Sequence, residues 1–112
     1  MPIEHDAIPS GPKQPIVWAT ILEGPPENLE RAIGVVRGHM LAAYRTLPGW
    51  QGGLGLVSFD RSRSLLLNFW ENESALLEHA GDDARFRERV GQLGVRIMSS
   101  DRFEIHFDDR TE

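Results

Sequence analysis

Residues 48–80, PGWQGGLGLVSFDRSRSLLLNFWENESALLEHA, decide the fold of this chain. They read as a strand, a tight turn, a second strand ending in Trp70, and a helix. Trp50 to Phe59 is the first strand. Gly52, Gly53 and Gly55 inside it mark a bulge, a bend, or a place where something packs against bare backbone. Asp60 to Ser64, DRSRS, is a polar hairpin connection. Leu65 to Trp70 is apolar with Asn68 set inside it. Asn72 or Ser74 is placed to cap the helix that follows, with Glu71 and Glu73 near its positive end.

Working outward, Ile16 to Leu22 (IVWATIL) is short, apolar and β-branched, which reads as a buried strand. Pro25 and Pro26 break it and suit a first helical turn. Over residues 27–46, Leu29, Ile33, Val36, Met40, Ala43 and Leu47 recur every three or four positions as one apolar stripe. Gly34 and Gly38 either weaken this helix or admit close approach of another backbone. Pro48-Gly49 ends it. Beyond the quoted stretch, the helix pauses at Gly81 to Asp83. Asp82 or Asp83 then caps a second segment, ARFRERVGQLGVRIM, with Phe86, Val90, Leu93 and Ile97 on one side. Arg102 to Phe107 alternates as a half-exposed last strand.

The order is β-α-β-β-α-β. A four-stranded antiparallel sheet with both helices on one face satisfies it, an α+β, ferredoxin-like domain. The strands are apolar at nearly every position, whereas a sheet face open to water alternates with polar residues. The uncovered face therefore calls for a second copy of the chain, a two-fold homodimer packed sheet to sheet. Several hundred Å² buried there offers on the order of 10 kcal/mol before association costs. The competing arrangement is a monomer whose N-terminal arm lies over the sheet.

The chain is a single domain of 112 residues, 40% hydrophobic and 26% charged, with a formal charge of -5. That charge argues against nucleic acid, which needs a concentrated positive stripe. Arg85, Arg87, Arg89 and Arg96 cluster, but Asp82, Asp83 and Glu88 dilute them, and they read as a solvated face. With no cysteine, disulfides, zinc thiolates and cysteine nucleophiles are excluded. No apolar run reaches membrane-span length. Residues 1–14 are Pro-rich and polar, without the apolar core of a secretory signal, and read as a flexible arm. The domain is expected over 15–108, a tail over 109–112, and the location in the cytoplasm.

The stretch LPGWQGGLGLVSFDRSRSLLLNFWENESALLEHAGDDARFRE, residues 47–88, resembles the antibiotic biosynthesis monooxygenase superfamily of dimeric α+β barrels. The shared pattern is a helix ending in Pro-Gly-aromatic, a Gly-containing strand, an Asp in the hairpin, and a strand ending in Trp before an acidic residue. The likeness extends over about residues 15–108. It implies oxidation of a small aromatic molecule without metal or flavin, so no cofactor is expected. It places Trp70 on the family's Trp and Arg87 on its late-helix Arg. Leu66, Leu76 and about Leu56 stand where the family carries Asn, Tyr and His. Asn68 shares a face with Leu66 and Trp70, roughly 7 Å along the strand, and can stand in for the Asn.

The candidate catalytic residues are thus Asn68, Trp70 and Arg87, with Trp18, Tyr44 and His79 as substrate-binding candidates. The competing reading of the three tryptophans is core or dimer interface. For Asn68 it is a structural hydrogen bond, because a buried amide left unpaired costs roughly 1–3 kcal/mol. Two other functions remain in play: a non-catalytic binder or structural homodimer, and a haem-binding or haem-degrading enzyme using His79. Strand one lacks the Asn that the haem-degrading relatives use. His5 falls in the arm, His39 at an exposed edge and His106 on the polar side of the last strand. No histidines have metal-site spacing, so no protein-built metal site is expected. Ser58 and Ser64 lack a nucleophile-elbow context, and GGLG lacks a phosphate-loop one.

Overall fold

The computed structural model describes residues 15–78 and 82–110, the side chains of Asp82 and Asp83 excepted. The expected arm over 1–14, His5, His79 and the Asp82/Asp83 cap lie outside the described residues. In chain order the elements are β1 (Ile16–Glu23), α1 (Pro26–Val35), a π-helical turn (Val36–Met40) and α2 (Leu41–Tyr44). Then come β2 (Trp50–Val57), β3 (Arg63–Trp70), α3 (Glu73–Glu78), α4 (Asp82–Gln92) and β4 (Arg96–Glu104). The strands form one antiparallel sheet in the order β2-β3-β1-β4. This is the expected ferredoxin-like arrangement.

Register sets the two faces. On one, Trp50–Trp70–Ile16, Gly53–Asn68–Trp18 and Val57–Ser64–Leu22–Ile97 run across the sheet as rows. The helices cover this face, where Leu22 and Leu66 pack with Leu29, Ala32 and Val36 below α1 and with Phe86, Val90 and Val95. On the other, the rows are Leu54–Leu67–Ala19, Leu56–Leu65–Ile21 and Phe69–Val17–Phe103. No helical residue belongs to these rows, and Leu54, Leu56 and Phe103 remain 45%, 47% and 54% exposed.

The first helix begins as its sequence dictates. Pro25 and Pro26 open it, and the Leu29 N–H donates to the Pro25 carbonyl at 2.9 Å. It is not one continuous α-helix over 27–46, as the apolar stripe suggests. A π turn interrupts it around Gly38, a residue that weakens the α-helical ladder. Nor do Gly34 and Gly38 admit a neighbouring backbone: a Cβ on either meets nothing within 4 Å. The chain turns at Gly49 with φ +86°, where a Cβ would stand 2.5 Å from that of Ala75, so only glycine fits.

The last helix and strand depart from expectation. The helical spacing of Val90, Leu93 and Ile97 suggests a helix reaching Met98 and a strand over Arg102 to Phe107. Instead α4 stops at Gln92 and β4 begins at Arg96. Gly94, at φ +76°, reverses the chain, and the Val95 N–H returns to the Val90 carbonyl at 3.2 Å. Ile97 then pairs with Leu22 in the sheet, beside a bulge in the β1–β4 register. Phe107 lies past the strand, 76% exposed. At the start of α3, Asn72 is the cap: its Oδ1 accepts the Ala75 N–H at 2.9 Å. Among the described residues no helix is long and apolar enough to cross a membrane.

Candidate functional site

The covered face is not filled evenly. Toward its Trp70 end it holds a cavity of about 50 Å³. Trp18, Thr20, Leu66, Asn68 and Trp70 form its floor, all inward positions of β1 and β3. Val36, Met40 and Tyr44, spaced one turn apart through the π turn and α2, form its roof, while Leu76 and Phe86 close its sides.

The polar geometry centres on Asn68. The Trp50 indole Nε1–H donates to Asn68 Oδ1 at 3.1 Å. Because an indole only donates, this bond assigns the amide's orientation. The Asn68 Nδ2 group has no protein partner among the described residues. So the half-buried Asn68 has a structural partner and still carries a free donor at the cavity wall. Tyr44 packs edge-on against Trp70, ring centroids 5.9 Å apart, and tilted against Trp50 at 6.3 Å. Beneath, Thr20 and Ser100 share a hydroxyl–hydroxyl bond of 3.0 Å that ties β1 to β4.

Tyr44 is the one ionisable side chain among the described cavity residues; the rest of the wall has neither carboxylate nor imidazole. Among the described residues, two grooves adjoin the cavity. One, of about 280 Å³, runs between the π turn and α4; it shares Met40, Tyr44 and Phe86 and carries His39, Arg85 and Arg89. The other, of about 410 Å³, lies toward β2; it shares Val36, Leu66 and Asn68 and carries Arg37 and Arg45.

Of the residues singled out in the sequence, Trp18, Tyr44, Asn68 and Trp70 come together at the cavity. Arg87 is exposed on α4 and is not among the lining residues. His79 lies outside the described residues. Sequence reasoning missed Thr20, Met40 and Phe86, and the bond from Trp50 to Asn68. A signal for that bond existed: in the hairpin register, Trp50 sits opposite Trp70, two residues from Asn68. Among the described residues, no three His, Cys, Asp or Glu side chains gather as a metal site.

A four-stranded antiparallel sheet roofed on one face by helices, with an aromatic-walled cavity between, defines a ferredoxin-like α+β domain. The fold is that of the antibiotic biosynthesis monooxygenases. The ActVA-Orf6 monooxygenase of Streptomyces coelicolor, solved with nanaomycin D, superposes with a TM-score of 0.68 at 16% identity, covering 89% of this chain and 93% of that one. SnoaB, a cofactor-independent oxygenase from Streptomyces nogalater, gives 0.59 at 12% identity, covering 88% and 96%. A Deinococcus radiodurans protein provisionally named an antibiotic biosynthesis monooxygenase gives 0.65 at 14%, covering 87% and 96%. No family model and no curated protein matches the chain. Identities this low carry the fold, and the reaction has to be argued from the site.

Proposed function

We propose that this chain binds a flat, electron-rich aromatic molecule in the cavity and oxidises it with molecular oxygen, without metal or flavin. One observation carries the reading: a free amide donor, Asn68 Nδ2, held by the Trp50 bond at the wall of an aromatic cavity. Such a donor stabilises negative charge on a ligand oxygen as the neighbouring carbon loses its proton. Trp18, Trp70 and Tyr44 hold the ring plane.

Among the described residues, the wall has no carboxylate or imidazole to act as base. The substrate must therefore ionise readily by itself, as an anthrone-type CH₂ beside a ring carbonyl does. Its carbanion passes one electron to O₂, and the two radicals join as a peroxide anion on that carbon, which takes back the first proton to become a hydroperoxide. Loss of the remaining C–H proton together with hydroxide gives the ketone and water. In sum CH₂ and O₂ become C=O and H₂O. Among the described wall residues, Tyr44 is the group able to carry that first proton.

The same missing base favours a second reading, a binder without turnover. Oxygen uptake with anthrone separates the two. The oxygenase reading expects one anthraquinone per O₂ consumed, and a rate reduced roughly 10- to 100-fold in Asn68→Ala. Calorimetric binding of anthrone with no uptake above the buffer rate would establish the binder instead.

We further propose that the bare sheet face is shared by two copies of the chain. The support is the three apolar rows across it, with Leu54 and Leu56 about half exposed at 45% and 47%. Isolated monomers rarely leave a patch of that extent in water. Sedimentation should give twice the 12.6 kDa chain mass, and Leu67→Lys should halve it. A 12.6 kDa wild-type particle at micromolar concentration would end this proposal.

A further inference from the structure

We propose that the ligand enters as an aromatic acid, its carboxylate held by Arg85 and Arg89 with His39 across the groove from them. The inference rests on the pocket reading above and narrows its substrate class.

The cavity, at about 50 Å³, is a third of the roughly 150 Å³ that takes a benzene ring. A ring system seated there must extend into an adjoining groove, and the aromatic-walled one lies past Met40, Tyr44 and Phe86. Those three side chains line both the cavity and the 280 Å³ groove toward α4. Tyr44 and Phe86 thus flank a flat body in both the cavity and the groove. Its outer end then meets His39, Arg85 and Arg89.

Arg85 and Arg89 are four residues apart on α4, a spacing at which like charges repel and weaken the helix. Among the described residues neither is paired with a carboxylate, and neither is His39. Two guanidinium forks beside an apolar slot, in a chain of net charge -5, form a local reader for a planar anion. The groove toward β2 also carries cations, Arg37 and Arg45, but it lacks the aromatic wall. It serves as the internal control.

The experiment is calorimetric titration of the full chain with 2-naphthoate and with 2-naphthamide, which differ in charge and hardly in shape. Wild type should prefer naphthoate by about tenfold, and the margin should shrink as salt is raised. The double variant Arg85→Gln/Arg89→Gln should bind the two alike, with naphthamide affinity within about twofold of wild type, which also shows that it is folded. Arg45→Gln should keep the full preference. Equal binding by wild type overturns the inference, as does a preference that survives in the double variant or disappears in Arg45→Gln. In each of those results naphthamide still binds and the pocket reading stands. If naphthamide does not bind either, both readings fall.

Discussion

The two ends of the helix-covered sheet face are built from the same strands and differ in how they are filled. At one end Leu22 and Leu29 are 0% and 1% exposed, packed with Val90 and Val95. At the other, Trp18, Trp50 and Trp70 surround an amide, and a cavity of about 50 Å³ remains under a π turn. Interiors are normally close-packed, so an unfilled, polar-centred end is the exception that needs a reason. The closed end supplies cohesion, while the open end gives up some of it, leaving the space proposed above for the ligand. π turns are concentrated at such sites, and here one carries Val36 and Met40 onto the roof.

Equal truncations at the two ends test that division. Leu22→Ala should cost about 3 kcal/mol in equilibrium unfolding, because a closed site cannot collapse around the hole. Met40→Ala should cost about 1 kcal/mol, since its side chain is half-buried beside space already empty. Binding should show the reverse order. Naphthamide affinity should rise several-fold in Met40→Ala and stay near wild type in Leu22→Ala, read below its unfolding transition. Equal stability losses, with no change in affinity at either end, would break the comparison.

The same contrast explains what could be read beforehand. Strands and their shared faces were legible because side chains alternate: Leu66, Asn68 and Trp70 fall on one face at period two, whatever the tertiary context. The start of β4 was obscured because Val90, Leu93 and Ile97 keep helical spacing across a chain reversal made by Gly94, whose left-handed backbone the spacing does not report. The π turn was invisible for a similar reason, since its longer hydrogen bonds leave the apolar stripe intact.

At the cavity, Trp18, Tyr44, Asn68 and Trp70 could be named in advance, but Phe86 and the cations of the adjoining groove could not. Alignment to a family favours Arg87, whereas the groove holds Arg85 and Arg89. On a helix two residues are about 200° apart, so neighbours in a row of arginines address opposite sides. Their phase depends on where α4 begins, next to residues 79–81.

The smallest expected effect belongs to the closed end. Its row Val57–Ser64–Leu22 leads into the β2–β3 hairpin. There the Asp60 carboxylate accepts the Ser62 N–H at 3.0 Å and the hydroxyls of Ser58 and Ser62 at 2.7 Å. These bonds, the Ser62 N–H first, lower the Asp60 pKa from 3.8 to about 2. A lowered folded-state value means that the carboxylate stabilises the fold fully above the unfolded value near 3.8. That contribution is then lost as pH falls through about 2. Asp108 is lowered likewise, by its bonds to Arg110 in the tail, so Asp108→Asn is the control. Asp60→Asn should reduce stability slightly at neutral pH and flatten the decline between about pH 4 and pH 2. Because Asp60 lies at the closed end, naphthamide affinity should not change. A change in affinity would mean that the two ends are mechanically linked through β3, and that the cavity's shape depends on the hairpin as well as on the roof above it.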